Sequence, residues 1–233
     1  MTESTSPDPG QVILIDKPLT WTSFDVANKL KYACKFKKIG HAGTLDPLAT
    51  GLLILCTGKM TKQIDQYQAQ EKEYTGTLVL GKTTPSIDLE TTFDAEFDTN
   101  GITTGQIQAA VRQLTGDIVQ VPPIYSAVRV NGERLYEKAR RGETAEHVEG
   151  GIKSRQVAVP IFDVNTDRFP EVDFRIVCSK GTYIRSLVRD LGLLLNNGAY
   201  MSALRRTRIG EFRVEQAHTL DAFIETCRNQ FAV

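Results

Sequence analysis

No apolar run in this chain approaches the ~20 residues a helix needs to span a bilayer, so no membrane-spanning helix is expected. The first ten residues, Met1 to Gly10, are polar, hold two prolines and lack an apolar core. They are neither a signal peptide nor an anchor and read as a disordered tail. Cysteine is scarce. Cys34, Cys56, Cys178 and Cys227 lie far apart, with no CxxC pair and no Cys/His cluster. That spacing argues against a zinc site or a disulfide framework and predicts reduced, buried thiols in a cytoplasmic protein. There is no internal repeat, low-complexity segment or interdomain linker. Net charge is lacking as well, with 28 Lys and Arg against 28 Asp and Glu. Bulk charge therefore argues mildly against a nucleic-acid partner.

What is present is the composition of an ordinary soluble globular protein, 41% hydrophobic and 24% charged. A length of 233 residues suffices for one large domain or two small ones. The positive charge is unevenly placed. Lys29, Lys31, Lys35, Lys37 and Lys38 follow one another with no acid between them. Arg134, Lys138, Arg140 and Arg141 form a second cluster, and Arg205, Arg206 and Arg208 a third. Singly, each could be a solvated face. Together, next to candidate site elements, they suit phosphate contacts.

Hydrophobic spacing predicts a strand over Gln11–Asp16 and a helix from a Ser23 N-cap to about Tyr32, with Phe24, Ala27 and Leu30 at helical intervals. Leu52–Cys56 is a short apolar run of buried-strand type. Lys59–Gln68 reads as a short helix, Glu73–Gly81 as a strand and Thr103–Leu114 as an amphipathic helix. Asn131-Gly132 is a strong turn signal, followed by a short basic helix over Arg134–Arg141. Gly142–Ser154 reads as a polar loop. Arg155–Asp163 and Val172–Cys178 read as strands, Leu187–Leu195 continues an apolar helix face, and Thr219–Cys227 is a terminal helix.

The chain is organised around Gly40-His41-Ala42-Gly43-Thr44-Leu45-Asp46-Pro47-Leu48-Ala49-Thr50-Gly51. Glycines permit tight turns and close approach by a ligand. Pro47 fixes its own φ and pushes Asp46 toward extended geometry. An isolated Asp-Pro is a common turn starter. Here it sits on a stiff loop that runs into a core strand, which is a good mount for a catalytic carboxylate.

This stretch resembles the signature of the TruB family of tRNA pseudouridine-55 synthases, Gly-His-Thr/Ala-Gly-Thr/Ala-Leu-Asp-Pro-x-Ala-Thr/Ser-Gly, at every specified position. Lys17-Pro18-Leu19-Thr20-Trp21-Thr22-Ser23 is similar to a second family motif, with Thr20 where glycine is usual. Further likeness lies in Thr84–Asp88 (which lacks the first of two acids), Pro122–Ala127, Gly181-Thr182-Tyr183-Ile184-Arg185 and Leu204-Arg205-Arg206-Thr207. The resemblance covers about residues 11–225. It implies an α+β fold with a central, mixed and largely antiparallel sheet flanked by helices, and an active site in a central cleft. It implies one catalytic domain over 11–233, with an RNA-gripping excursion at about 122–154 that includes Arg140 and Arg141. Many relatives carry a C-terminal PUA domain, for which no residues are left.

The resemblance implies Asp46 as nucleophile, Arg185 as its ion-pair partner and Tyr74 as a group that stacks on the base and is a candidate proton acceptor. Tyr183 and Leu204 would lie against the target base, and His41 would fill the space left when that base is flipped out. Lys17 and Arg205 join the substrate-binding set. The implied reaction turns uridine 55 of the tRNA T-arm into pseudouridine. It has no redox step, so neither cofactor nor metal is expected. The expected partner is the T-arm stem-loop, with no obligatory protein partner, no membrane and a monomeric state. Three rivals remain: a small-RNA-guided relative, an RNA-folding chaperone and a carboxylate-based glycosidase. The last needs a second acid at fixed separation, and none stands out.

Overall fold

The computed structural model describes residues 9–144, 148 and 151–231. Of the tail expected over residues 1–10, residues 1–8 lie outside them, as does part of the loop at 142–154, while Gly10 lies against the backbone at Thr57–Met60. The chain forms two compact units. The first runs to Tyr74 and resumes at Leu204; the second is Thr75–Ala203.

In chain order the first unit opens with β1 (Val12–Lys17), α1 (Ser23–Ala33), β2 (Ile39–His41) and β3 (Ala49–Thr57). A 3-10 turn (Gly58–Gln63), α2 (Ile64–Ala69) and the start of β4 (Lys72–Leu80) follow. The second unit continues with β5 (Lys82–Thr83), β6 (Ala95–Glu96), α3 (Thr104–Gln113) and β7 (Gly116–Gln120). Next come β8 (Arg129–Val130), β9 (Glu133–Arg134), α4 (Leu135–Arg140), β10 (Arg155–Val159) and β11 (Ile161–Asn165). The unit ends with β12 (Glu171–Cys178), α5 (Ile184–Leu194) and the first half of β13 (Ala199–Ile209). Back in the first unit lie the rest of β13, β14 (Phe212–Arg213), β15 (His218–Thr219) and α6 (Leu220–Phe231).

The first unit is built on the order β4-β13-β3-β1-β15. β3 pairs antiparallel with β1 and parallel with β13. Its apolar run is continuous because both faces are covered. Leu53 and Leu55 join Ile13, Ile15, Val26, Leu30 and Ile224 in one core, beneath α1 and α6. Leu52, Ile54 and Cys56 point the other way, to Ala42, Ile209 and Val214. Helix α1 starts one residue earlier than the Ser23 cap predicts. Thr22 is the N-cap, and its hydroxyl and the Asp25 carboxylate close a capping box.

The second unit holds the order β11-β12-β4-β13 and a separate β7–β10 pair. Thr103 caps α3 with Gln106 in the same capping-box arrangement. Asn131 and Gly132 take φ of 54° and 84° between the paired residues Val130 and Glu133, the two-residue hairpin turn their sequence demands. The single strand expected over Arg155–Asp163 is instead two, broken at Pro160, and β10 and β11 enter different sheets. Proline has no N–H to continue a ladder. Both units mix strands and helices, which is the α+β class. Among the described residues no helix is long and apolar enough to cross a membrane.

One expectation is overturned. Cys34, at the end of α1, and Cys227, on α6, form a disulfide with a Cα–Cα distance of 5.3 Å across 193 residues of sequence. Both helices pack on the same face of β1 and β3, which sequence spacing cannot reveal. Cys56 and Cys178 are buried thiols.

Candidate active site

In the first unit the loop between β2 and β3 is fixed at nearly every turn. Ala42 N–H donates to Ile54 O (2.8 Å) and Ala49 N–H to Asp46 O (3.0 Å). The Ser23 hydroxyl accepts from Leu45 N–H at 2.8 Å. Pro47 O accepts from Thr20 N–H at 2.8 Å and from the Lys17 ammonium at 3.3 Å. The Asp46 side chain, half-buried, is thus carried on backbone held immediately on its C-terminal side. Gly51 closes the loop at φ 102°, and a Cβ there would lie 2.2 Å from Arg206 O. Only glycine fits.

Lys17, expected among the substrate-binding residues, is buried beneath the loop. The alternation of β1 puts it on the same inward face as Ile13 and Ile15, and it is 0% exposed. Its ammonium donates to Pro18 O (2.9 Å), Trp21 O (2.5 Å) and Pro47 O. With all three protons spent on carbonyls, it staples the Lys17-Pro18 turn to the Asp46 loop. Burial lowers its pKa to about 8 against the pull of the Asp46 charge, with nearby Arg206 lowering it further. The period-two pattern Ile13, Ile15, Lys17 was the sequence signal for this inward position.

Arg206, read from sequence only as part of a basic cluster, is 1% exposed. Its Nε donates to Leu52 O at 2.7 Å and its Nη2 to Gly43 O at 3.2 Å. It therefore grips the loop on both sides of Asp46. Leu204, two residues earlier on the same face of β13, lies opposite Ala49 in register. Arg205 faces the other way and forms a two-point pair with Asp16 at 3.0 and 2.7 Å. His41 stands on β2 opposite Leu55. Burial first, and then Arg206, lowers its pKa, so the imidazole is neutral at pH 7. A backbone hydrogen bond at Gly43 opposes that shift, and the buried imidazole Nδ1 meets no partner of full hydrogen-bond geometry among the described residues. Tyr74 is 9% exposed on β4. Its neighbour Glu73 accepts from the Thr207 hydroxyl of β13.

In the second unit Arg185 opens α5 and is 5% exposed. It donates to Ser86 O (3.0 Å) and Tyr125 O (2.8 Å), and its Nε lies 3.7 Å from the Asp88 carboxylate. Sequence reasoning did not single out Asp88 as a neighbour of Arg185, although it is the retained acid of the Thr84–Asp88 motif. Tyr183 is held through its backbone by Gln120, which donates to Tyr183 O and accepts from Tyr183 N–H. The Arg155 guanidinium lies over its ring at 5.1 Å.

The three basic clusters are not equivalent. Arg141 pairs with Glu133 and Glu143, Lys138 with the same two acids, and Arg140 with Glu90. Arg205 is neutralised by Asp16 and Arg208 by Glu71. Lys29, Lys31, Lys37 and Lys38 are exposed and have no carboxylate partner among the described residues.

Comparison with known proteins places this arrangement in a family. Residues 31–184 match the TruB family pseudouridylate synthase N-terminal domain, and residues 185–230 the tRNA pseudouridylate synthase B C-terminal domain. A tRNA pseudouridine synthase B from Flavobacterium johnsoniae is 52% identical over 224 residues, covering 93% of this chain and 96% of that protein. One from Phocaeicola vulgatus is 46% identical, with 93% and 92% covered. A chain in the crystal structure of a Cbf5-Nop10-Gar1 complex superposes with a TM-score of 0.69 at 31% identity. That match takes in 92% of this chain, which spans about half of the other's length (53%). With its loop, its strand order and nearly its whole length accounted for, the chain belongs to the TruB family and is an RNA pseudouridine synthase.

Proposed function

We propose that the chain converts uridine 55 in the T-arm of tRNA to pseudouridine, with Asp46 as nucleophile. The observation that carries this is the bracing of the Asp46 loop by Lys17, Thr20 and Arg206, which fixes a half-exposed carboxylate on rigid backbone. The relatives named tRNA pseudouridine synthase B support the substrate class.

The reaction breaks the N1–C1′ bond of uridine and forms a C5–C1′ bond. C5 gives up its proton and N1 gains one, so atoms and electrons balance without an oxidant. A carboxylate suits this because it can add to C6 of uracil or to C1′ of the ribose and leave again. Tyr74 is the candidate proton acceptor. The target base must leave its stack, at a cost of a few kcal/mol. Tyr74, Tyr183 and Leu204 supply flat or apolar surface to receive it. The neutral imidazole of His41, whose buried Nδ1 meets no partner of full hydrogen-bond geometry, suits a group that replaces the base in the emptied space. Arg185 enters on the strength of its motif, as the residue that orients the nucleophile. Arg140, Arg141 and Arg205 are proposed to exchange their present carboxylate partners for phosphate when RNA binds.

Incubating the purified protein with unmodified tRNA transcript, and mapping pseudouridine by chemical labelling, tests this reading. A product confined to position 55 is expected. Product at other positions only would refute the site assignment.

A further inference from the structure

The outer face of α1 carries two aromatic residues that are strongly exposed. Phe24 and Tyr32 stand out from it at 65% and 76% exposed. Eight residues of helix put them about 12 Å apart along the axis. Thr20, Trp21, Asp25, Asn28, Lys29 and Tyr32 line an open groove of about 420 Å³, within the ~300–1,000 Å³ typical of small-ligand sites. Trp21 forms an aromatic wall whose other side packs on the β1/β3 core. Asp25 is the one acid in the groove, and its carboxylate already accepts from the backbone N–H and hydroxyl of Thr22.

The charge around the groove decides its occupant. Lys29 and Lys31 on α1, and Lys37 and Lys38 beyond it, are exposed cations without carboxylate partners among the described residues. A second copy of this chain would bring like charges together. A polyanion with flat faces satisfies both features, since bases stack on aromatic rings while phosphates pair with cations.

We propose that this groove is an RNA-contact site distinct from the Asp46 carboxylate, taking unpaired nucleobases of one strand against the Tyr32 and Trp21 rings in turn, with a phosphate between them on Lys29 and the exposed Lys31 adding to the positive field beside it. It rests on the reading above only for the identity of the RNA that supplies the base. Stacking of this kind discriminates little among bases, so the site holds RNA without selecting the modified uridine.

Trp21 is the chain's single tryptophan, so its fluorescence reports on this groove and on the turn beneath it, and the Tyr32 variant separates the two. The full-length protein is titrated with a labelled adenylate oligomer of about eight nucleotides, which contains no uridine and cannot be turned over. Saturable quenching of Trp21, in step with anisotropy of the label, is expected. Tyr32→Ala should weaken binding about tenfold, in line with ~1–3 kcal/mol per stacked base. Tyr32 is exposed, so the fold should survive this change, and circular dichroism checks it. Lys29→Glu with Lys31→Glu should weaken binding and flatten its salt dependence, because fewer counterions are released. Quenching by this oligomer supports the groove whether or not pseudouridine forms on tRNA. Binding without quenching, binding indifferent to both variants, or a fluorescence change that follows protein concentration without RNA would each overturn the proposal.

Discussion

Thr20 shows how one side chain can depart from a pattern while the backbone keeps it. The family motif has glycine there, and the chain retains the glycine conformation, φ 70°, under a β-branched residue. Such a residue at positive φ is strained by about 1–2 kcal/mol. The bond from Thr20 N–H to Pro47 O holds it in place. Thr20→Gly relieves the strain but adds freedom to the unfolded chain. The net expectation is a gain of up to about 1 kcal/mol, read as a higher denaturant midpoint at unchanged slope. A lower midpoint would show that the threonine side chain itself stabilises the turn. The departure was legible in the sequence, and its consequence needed φ. Lys17 and Arg206 teach the converse. Both were legible as cations near the site. That they are buried and spent on carbonyls depends on strand faces, which period-two alternation hints at but does not settle.

At the scale of elements, α1, α3, β1, β3, β4, β12, α5 and α6 were readable because capping residues and apolar spacing act locally. The two-residue strands β5, β6, β14 and β15 were not, since no local pattern specifies a partner for so short a segment. The same holds for the tie between α1 and α6. Cys34 and Cys227 close a loop of 193 residues, and crosslinks over long loops typically stabilise by about 2–4 kcal/mol. Reduction should therefore lower the melting temperature measurably, and Cys34→Ser should reproduce the reduced value. A melting curve indifferent to reductant would remove the crosslink from the account. The staple between β1 and the Asp46 loop gives a pH signature. Lys17 titrates near pH 8 folded, against 10.5 ordinarily. Below pH 8 its ammonium is charged in both states and the burial penalty is fully present. Above 10.5 it is neutral in both and the penalty is gone, so its contribution to stability rises across that window. Its hold on the loop changes the other way, because a neutral amine has two protons for three carbonyls. We predict that kcat falls above about pH 8 while stability does not fall with it. A flat kcat up to pH 9.5 would contradict the staple.

For the molecule as a whole, a net charge of zero hides a division of labour. Two of the three basic clusters are largely neutralised by the chain's own acids, whereas Lys29, Lys31, Lys37 and Lys38 have no carboxylate partner among the described residues. Sequence shows where cations are but not which acids reach them, since pairs such as Arg205 with Asp16 lie 189 residues apart. Holding RNA, through charged surface, is thus proposed to be separate from changing it, through one carboxylate on a braced loop. Asp46→Asn tests that separation most directly. The substitution keeps size and shape and removes the proposed nucleophile. Pseudouridine formation on tRNA under single-turnover conditions should vanish, while binding of the same tRNA stays within about threefold of the native protein (under ~1 kcal/mol). Pseudouridine formed at near the native rate by the Asn variant would contradict the assignment of Asp46 and the mechanism built on it.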